Sequence, residues 1–417
     1  MYTIIMTKYN IILNVNGYLM NKKVNPKTVC MIAMASYPGD PRIRREAEAL
    51  AEAGYEVDVL CRYSGNQPSK EKIGNVTAYR IMNAPSRENK FYYFFQSIVF
   101  LLISFYRLLI LFIYNRYKVI QIHNLPDYLI FAAIPFKLFG TKLILDIHDP
   151  SVDLFEEKWP GKKNEILKFI LAKAEKYSCK FADKLITVTN TCKEKLVERG
   201  NQPDKITLIL NTANEDLFRF NYERQFRKIT SGVKIIYHGT IAKRFGIHNV
   251  ISAFPILLKD IPDSIFNIYG PYEGSYLLYL NKLISDLGLS ENVNLNGIIT
   301  REQIPGIINQ HDIGIVPYLQ TNYMNLALPT KAFEYIASGL PVISTKLKDL
   351  YETFDDNCIT YVEDSDSQQI ARAVTFICSN PDLSKNRVQA AHNKLSNISG
   401  KVMMDRYIYL YDSLISD

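Results

Sequence analysis

From Lys27 onward the chain alternates short β-branched runs, bounded by turn residues, with longer segments whose apolar positions recur at helical spacing. In the first half this pattern predicts strands over 28–35, 55–61, 76–82, 118–122, 142–147, 184–189 and 205–210. Strand and helix in turn imply βαβ units. Right-handed crossovers make such units a parallel sheet covered on both faces, with ligands gathering beyond the C-terminal strand ends. After a charged stretch at 219–231 the pattern restarts, with strands over 233–239, 264–270, 292–297, 312–317 and 341–345. The expected organisation is an N-terminal extension over 1–26, a Rossmann-like domain over 27–215, a second over 216–395, and a C-terminal helix over 396–417 crossing back to the first. Two doubly wound domains joined by a short linker predict a cleft between facing strand ends as the active site.

One segment departs from the alternation. Residues 91–114, FYYFFQSIVFLLISFYRLLILFIY, hold a single charge, Arg107, and the uncharged run before it is 16 residues. That is short for a membrane span, and a charge near mid-bilayer is costly. On a helical projection Gln96, Ser97, Ser104 and Arg107 share one narrow arc. The rest of the circumference is apolar, more than one sheet needs for cover. The segment therefore predicts an interfacial helix, with Lys90, Arg116 and Lys118 at its ends suited to an anionic leaflet.

Charge supports that reading. The chain of 417 residues carries a formal +7, and residues 1–120 hold 16 Lys/Arg against 8 Asp/Glu, so the basicity is N-terminal. A basic face can serve nucleic acid, anionic lipid or anionic substrates. No nucleic-acid module or aromatic-interleaved basic groove is present, so nucleic acid is not an expected partner. Six widely spaced cysteines without a C-x-x-C pair read as reduced thiols. Residues 1–24 lack the apolar core and cleavage site of a signal peptide, and a cytoplasmic chain is expected.

Candidate chemistry sits at strand ends. Pro38, Gly39, Asp40 and Pro41 make a tight loop ahead of a helix, able to present backbone N–H groups. His123 and Asn124 end one strand; Asp146, His148 and Asp149 end another. Two histidines at the C-terminal ends of one sheet suggest hydrogen-bonding or proton-handling roles, and no third donor stands at metal-ligand spacing. The second domain opens with Gly239, Thr240, Lys243, Arg244 and Gly246 between strand and helix, where cations suit a diphosphate. Farther on, Lys331 and Glu334 lie one turn apart at a helix start, and Glu334 could accept hydrogen bonds from both hydroxyls of a ribose. The one D-x-D, Asp364 to Asp366, reads as an N-cap cluster rather than a metal site.

These segments, in order, resemble the retaining GT-B glycosyltransferases of glycosyltransferase family 4 over residues 27–417. The resemblance is carried by DPRIRREAEALAEAGYEVDVL, IHNLPDYLI, LILDIHD, ADKLITVTN, NTANEDLF, YHGTIAKRFGIHNVISAF, NVNLNGIITREQIPGIINQHDIGIVPY and above all LPTKAFEYIASGLPVIST. It implies a C-terminal domain that holds a nucleoside-diphosphate sugar (UDP, GDP or dTDP) and an N-terminal domain that holds the acceptor. Glu334 would grip the donor ribose, Arg244 and Lys331 would neutralise the diphosphate, and His148 would sit by the transferred sugar. Gly39 would lie near the donor phosphates, and Gly270 and Pro271 would border the base. Gly239, Thr240 and Lys243 complete the donor side, with Asp40, His123, Asn124 and Asp149 on the acceptor side. No cofactor and no metal is implied.

Two positions depart from the family. Leu326 stands where many members have the first of two glutamates, and Thr240 stands where an arginine is expected. The expected function is retaining sugar transfer to a membrane-associated, lipid-linked glycan acceptor in surface polysaccharide assembly, on the inner face of the cell membrane. The alternative is a catalytically silent nucleotide-sugar-binding partner in a membrane assembly. A sugar-nucleotide epimerase on the same double fold explains neither the apolar helix nor the N-terminal basicity.

Overall fold

A computed structural model describes residues 27–83, 90–159, 161, 164–363 and 366–416. The extension 1–26 and Asp364 of the D-x-D lie outside the described residues. The chain forms two compact units. One holds the described residues up to Val188, Lys193–Ile209 and the described residues from Met404; the other holds Thr189–Cys192 and Leu210–Met403.

The first unit is built on an eight-stranded sheet. Its strands are β1 (Thr28–Ser36), β2 (Glu56–Arg62), β3 (Lys70–Ile73), β4 (Val76–Met82), β5 (Val119–His123), β6 (Lys142–Ile147), β7 (Lys184–Thr187) and β8 (Ile206–Leu208). Their spatial order is β3-β4-β2-β1-β5-β6-β7-β8, and every pairing is parallel except β3 with β4. Cys30, Ile32, Ile120, Ile122, Leu143 and Leu145 lie in the core, as expected of strands covered on both faces. β3, KEKI, went unread because a polar edge strand has no apolar run to betray it.

The second unit is a six-stranded parallel sheet of β9 (Lys234–His238), β10 (Ile265–Tyr269), β11 (Val293–Gly297), β12 (Ile313–Val316), β13 (Val342–Thr345) and β14 (Thr360–Val362). The order β11-β10-β9-β12-β13-β14 reverses direction at β9, a topological switch point. The chain passes between units at 209/210 rather than 215/216. Leu210 N–H reaches Met403 Sδ at 3.3 Å, a contact inside the second unit, and Phe218 is buried.

The apolar helix runs Lys90–Asn115. Helical projection leaves open which side of it faces the core. Ser97 and Ser104, part of the narrow polar stripe, are fully buried beside Phe100 and Leu108, and Ser97 hydrogen-bonds the Tyr128 hydroxyl. The outward face is apolar: Phe95, Leu102, Tyr106, Leu109 and Ile113 are 63%, 59%, 62%, 41% and 45% exposed. Helical projection separates polar from apolar positions but not inside from outside. Here a tyrosine hydroxyl inside the fold holds Ser97, while Arg107 of the same stripe stays exposed.

Candidate functional site

In the first unit the chemistry gathers at the C-terminal ends of β1, β5 and β6. The Asp40 carboxylate caps the helix Pro41–Glu52 by accepting from Arg42 N at 3.0 Å. The Arg42 side chain folds back on it, with Nε and Nη2 at 3.0 and 2.7 Å. Burial alone would raise the Asp40 pKa, but the arginine holds it below the usual carboxylate range. Gly39 closes the loop so tightly that a Cβ would stand 2.5 Å from Ser36 Oγ.

β5 and β6 pair with His123 opposite Asp146. Asn124 braces the loop beyond β6. Its Oδ1 accepts from His148 N at 3.0 Å and Asp149 N at 3.4 Å, while Nδ2 donates to Asp127 Oδ1 at 3.1 Å and Asp149 O at 2.5 Å. Those bonds turn its polar groups toward the protein, where an acceptor-side contact had been expected.

The structure also corrects the expectation that the histidines have no third donor nearby. Asp146 Oδ2 lies 2.9 Å from His123 Nδ1 and 2.8 Å from His148 Nε2. The three ligand-type atoms fall within 4.8 Å of one another, close enough to share a cation, but both separations are hydrogen-bond lengths. Burial would raise the Asp146 pKa; the two imidazoles overcome it and drive the carboxyl far below its ordinary value. Burial and the Asp146 charge push Glu46 up, and Asp146 and Glu46 raise His123 against its own burial.

The second-unit residues converge around the C-terminal ends of β9 and β12 and the helix Thr330–Ala337. Lys331 is 7% exposed. Its Nζ hydrogen-bonds the Tyr318 hydroxyl and lies 4.7, 4.6 and 5.3 Å from the ring centres of Tyr237, Tyr318 and Phe245. Burial pushes the ammonium down to about 7, partly offset by Glu334, and pushes the Glu334 carboxyl up to about 7, partly offset by Lys331 and Arg301. His238, with Nε2 3.2 Å from Glu334 Oε2, is pushed down to about 3 by burial and the Lys331 charge.

Closely packed backbone lies beside this cluster. Gly270 sits at φ 142 and a Cβ there would stand 2.0 Å from Gly239 O, so only glycine allows the β9 and β10 loops to touch. Pro271, exposed beside it, accepts at its carbonyl from Ile241 N at 2.8 Å. Lys243 is exposed, and Thr240 O accepts from Tyr237 Oη at 2.7 Å. Arg244 forks onto Glu273, with Nη1–Oε2 2.6 Å and Nη2–Oε1 2.7 Å, and lies 4.6 Å from the Phe245 ring centre. Leu326 is buried and offers only its carbonyl, to Thr189 Oγ1 at 3.3 Å, so no side-chain acceptor replaces the missing glutamate there. Asp366 of the D-x-D caps the helix Ser367–Ser379 by accepting from Gln369 N at 2.9 Å.

Residues 218–394 match the family model described as glycosyl transferases group 1, and residues 42–217 match that described as glycosyltransferase family 4. The chain belongs to the group 1 glycosyltransferases of family 4. A curated relative of this glycosyltransferase is the chitobiosyldiphosphodolichol beta-mannosyltransferase of Candida albicans, 24% identical over 86% of this chain and 82% of that one. Among solved structures, sucrose-phosphate synthase from Thermosynechococcus elongatus has TM-score 0.75 at 17% identity, over 94% of this chain and 99% of that one. Anabaena HepE in complex with UDP has TM-score 0.69 at 14% identity, over 93% and 100%. The fold of this glycosyltransferase is accordingly GT-B, with two Rossmann-like α/β domains.

Sequence reasoning on this glycosyltransferase missed Glu46, Gln121, Tyr318, Tyr407 and Tyr411. Gln121 had a signal, a polar residue inside the apolar strand VIQIH, and Tyr407 with Tyr411 had helical i,i+4 spacing in the final helix.

Proposed function

We propose that this glycosyltransferase moves a sugar, with retained anomeric configuration, from a nucleoside-diphosphate sugar to a membrane-held, lipid-linked glycan acceptor in surface polysaccharide assembly. The observation that carries it is the second-unit cluster, where a buried lysine and a partly buried glutamate one helical turn apart stand beside backbone that only glycine allows. Lys331, with Arg244 released from Glu273, meets the diphosphate; Glu334 accepts from ribose hydroxyls; Gly270 and Pro271 border the base. In the first unit Gly39 approaches the donor phosphates and His148 the transferred sugar, with Asp40, His123 and Asp149 around the acceptor.

The chemistry asks little of side chains. The sugar C1–O bond to the diphosphate breaks as the acceptor oxygen bonds C1 on the same face, and the departing diphosphate takes the acceptor proton. Positioning and stabilisation of leaving-group charge supply the rate. Retention is what the resemblance to the retaining family implies; at the β1 and β6 ends Asp40 is tied to Arg42 and Asp146 to two imidazoles. The Candida relative is named for a beta product, so the anomeric outcome is read directly. A panel of UDP-, GDP- and dTDP-sugars is expected to give one donor that raises Tm, and proton NMR of the first-formed product should show the donor's own configuration. An inverted product removes the retaining mechanism; no stabilising donor removes the reading.

Diphosphate binding beside Lys331 favours its charged form, and the free ammonium titrates near 7. Binding at pH 8 should therefore take up as much as about one proton, and affinity should fall as pH rises above 7. Calorimetry in buffers of different ionisation enthalpy checks this, and Lys331→Met should abolish the uptake.

Membrane attachment is supported by exposed apolar side chains of the first unit. Beyond the apolar helix these are Leu138 and Phe139, 88% and 67% exposed, and Ile166 and Phe169 of the helix Glu165–Phe181, 80% and 62% exposed. The Phe139 ring centre lies 5.6 Å from that of Phe112 on the apolar helix, and the Phe131 ring centre 6.2 Å from that of Phe181. Exposed Arg107, Lys118, Lys173, Lys176 and Lys180 accompany it, the composition of a face laid on an anionic leaflet.

A further inference from the structure

We propose that the C-terminal helix (Gly400–Ser416) positions His148 for sugar transfer, through Tyr407 and Tyr411 acting on Gln121 and Asp146. The Tyr407 hydroxyl reaches Gln121 Oε1 at 2.5 Å, and the Tyr411 hydroxyl bonds the same oxygen. With two phenols on its carbonyl end, the amide must turn its NH2 end the other way. Nε2 meets Glu46 Oε2 at 2.7 Å and Asp146 Oδ2 at 3.2 Å. Asp146 Oδ2 in turn takes His148 Nε2 at 2.8 Å. Each link specifies the orientation of the next, so a helix some 260 residues away in sequence sets which ring nitrogen of His148 faces inward.

Glu46, Gln121, Asp146, Tyr407 and Tyr411 are all 0% exposed, between sheet and helices, where an apolar layer would be expected. A buried polar network is costly unless fully satisfied, and well-packed apolar replacements are often as stable or more so. Stability alone does not call for this layer; holding a side chain at the site in one orientation does. Tyr407 and Tyr411 touch no reacting atom in this scheme and are positioning residues. The inference rests on the reading that places His148 beside the transferred sugar.

Tyr407→Phe/Tyr411→Phe keeps the rings that pack the helix and removes only the hydroxyls. The expected result is a fall in kcat of about tenfold or more with donor KM within about threefold, and a changed imidazole 15N signature of His148, assigned by its loss in His148→Ala. If the double variant does not fold, each single Tyr→Phe variant carries the same measurements. A lowered Tm with kcat and the His148 signature both unchanged would overturn the proposal, leaving the network merely structural. A changed signature with unaltered kcat, and with His148→Ala fully active, would uphold the positioning and overturn instead the placement of His148 at the transfer site.

Discussion

Lys331→Met should lower kcat/KM for sugar transfer by about 10²–10³-fold while the protein stays folded. The cation lies in a pocket walled by Tyr237, Phe245 and Tyr318, where water is scarce and a charge acts across a low dielectric. Methionine keeps the length and bulk of the side chain, so the aromatic walls retain their contact. Because burial already penalises the ammonium, its removal should leave Tm within a few degrees of the parent. Glu334→Gln should act on the other end of the donor, raising KM by about 10–100-fold with a smaller effect on kcat, since ribose contacts are made in ground and transition states alike. Steady-state kinetics with the donor identified by thermal shift decides both. A kcat/KM within twofold of the parent in either variant would remove the donor-site assignment. Release of nucleoside diphosphate by the parent, with an acceptor present, separates an active enzyme from a silent sugar-nucleotide binder.

Charging the outward face of the apolar helix should release the protein from membranes without unfolding it. Leu102, Tyr106 and Leu109 lie on one side at spacings of four and three, are 59%, 62% and 41% exposed and stand outside the core cluster, so Leu102→Glu/Tyr106→Glu/Leu109→Glu spares the core. Full burial of such a side chain in hydrocarbon contributes about 1.5–3 kcal/mol, and an anionic replacement adds repulsion from the leaflet. Partition onto vesicles containing phosphatidylglycerol should fall by at least about 100-fold at low salt, with Tm unchanged. Replacing Phe100 or Leu108 on the buried side would instead lower Tm by removing core volume. Co-sedimentation with vesicles separates the cases. Parent protein that ignores anionic vesicles, or a triple variant that still binds them, would end the membrane reading.

Much of the fold was legible because hydrophobic periodicity is a local property of the chain. Among the described residues, twelve of the fourteen strands fall on predicted runs, and those overlooked, β3 and β14, are short edge strands at the margins of their sheets. The cluster proposed as the donor site was legible for a similar reason. Lys331 and Glu334 sit one turn apart on a single helix, and Gly239 and Gly270 end neighbouring strands. The engagement of Arg244 by Glu273 was not legible, because 29 residues separate the two and only the loop after β10 brings them together.

The order of strands and helices, the two Rossmann-like units, and the residue types gathered at their strand ends follow from the sequence alone, since short-range periodicity and turn chemistry specify them. The tertiary structure decided three further things. It buried two residues of the polar stripe of the apolar helix, Ser97 and Ser104, with Ser97 bonded to the Tyr128 hydroxyl, and left Arg107 outside. It moved the Lys331 ammonium and the Glu334 carboxyl to titrate near neutrality, because desolvation depends on everything packed around a group. And it joined Glu46, Gln121, Asp146, Tyr407 and Tyr411 into one buried network, contacts that exist only once distant stretches of chain fold onto the same sheet.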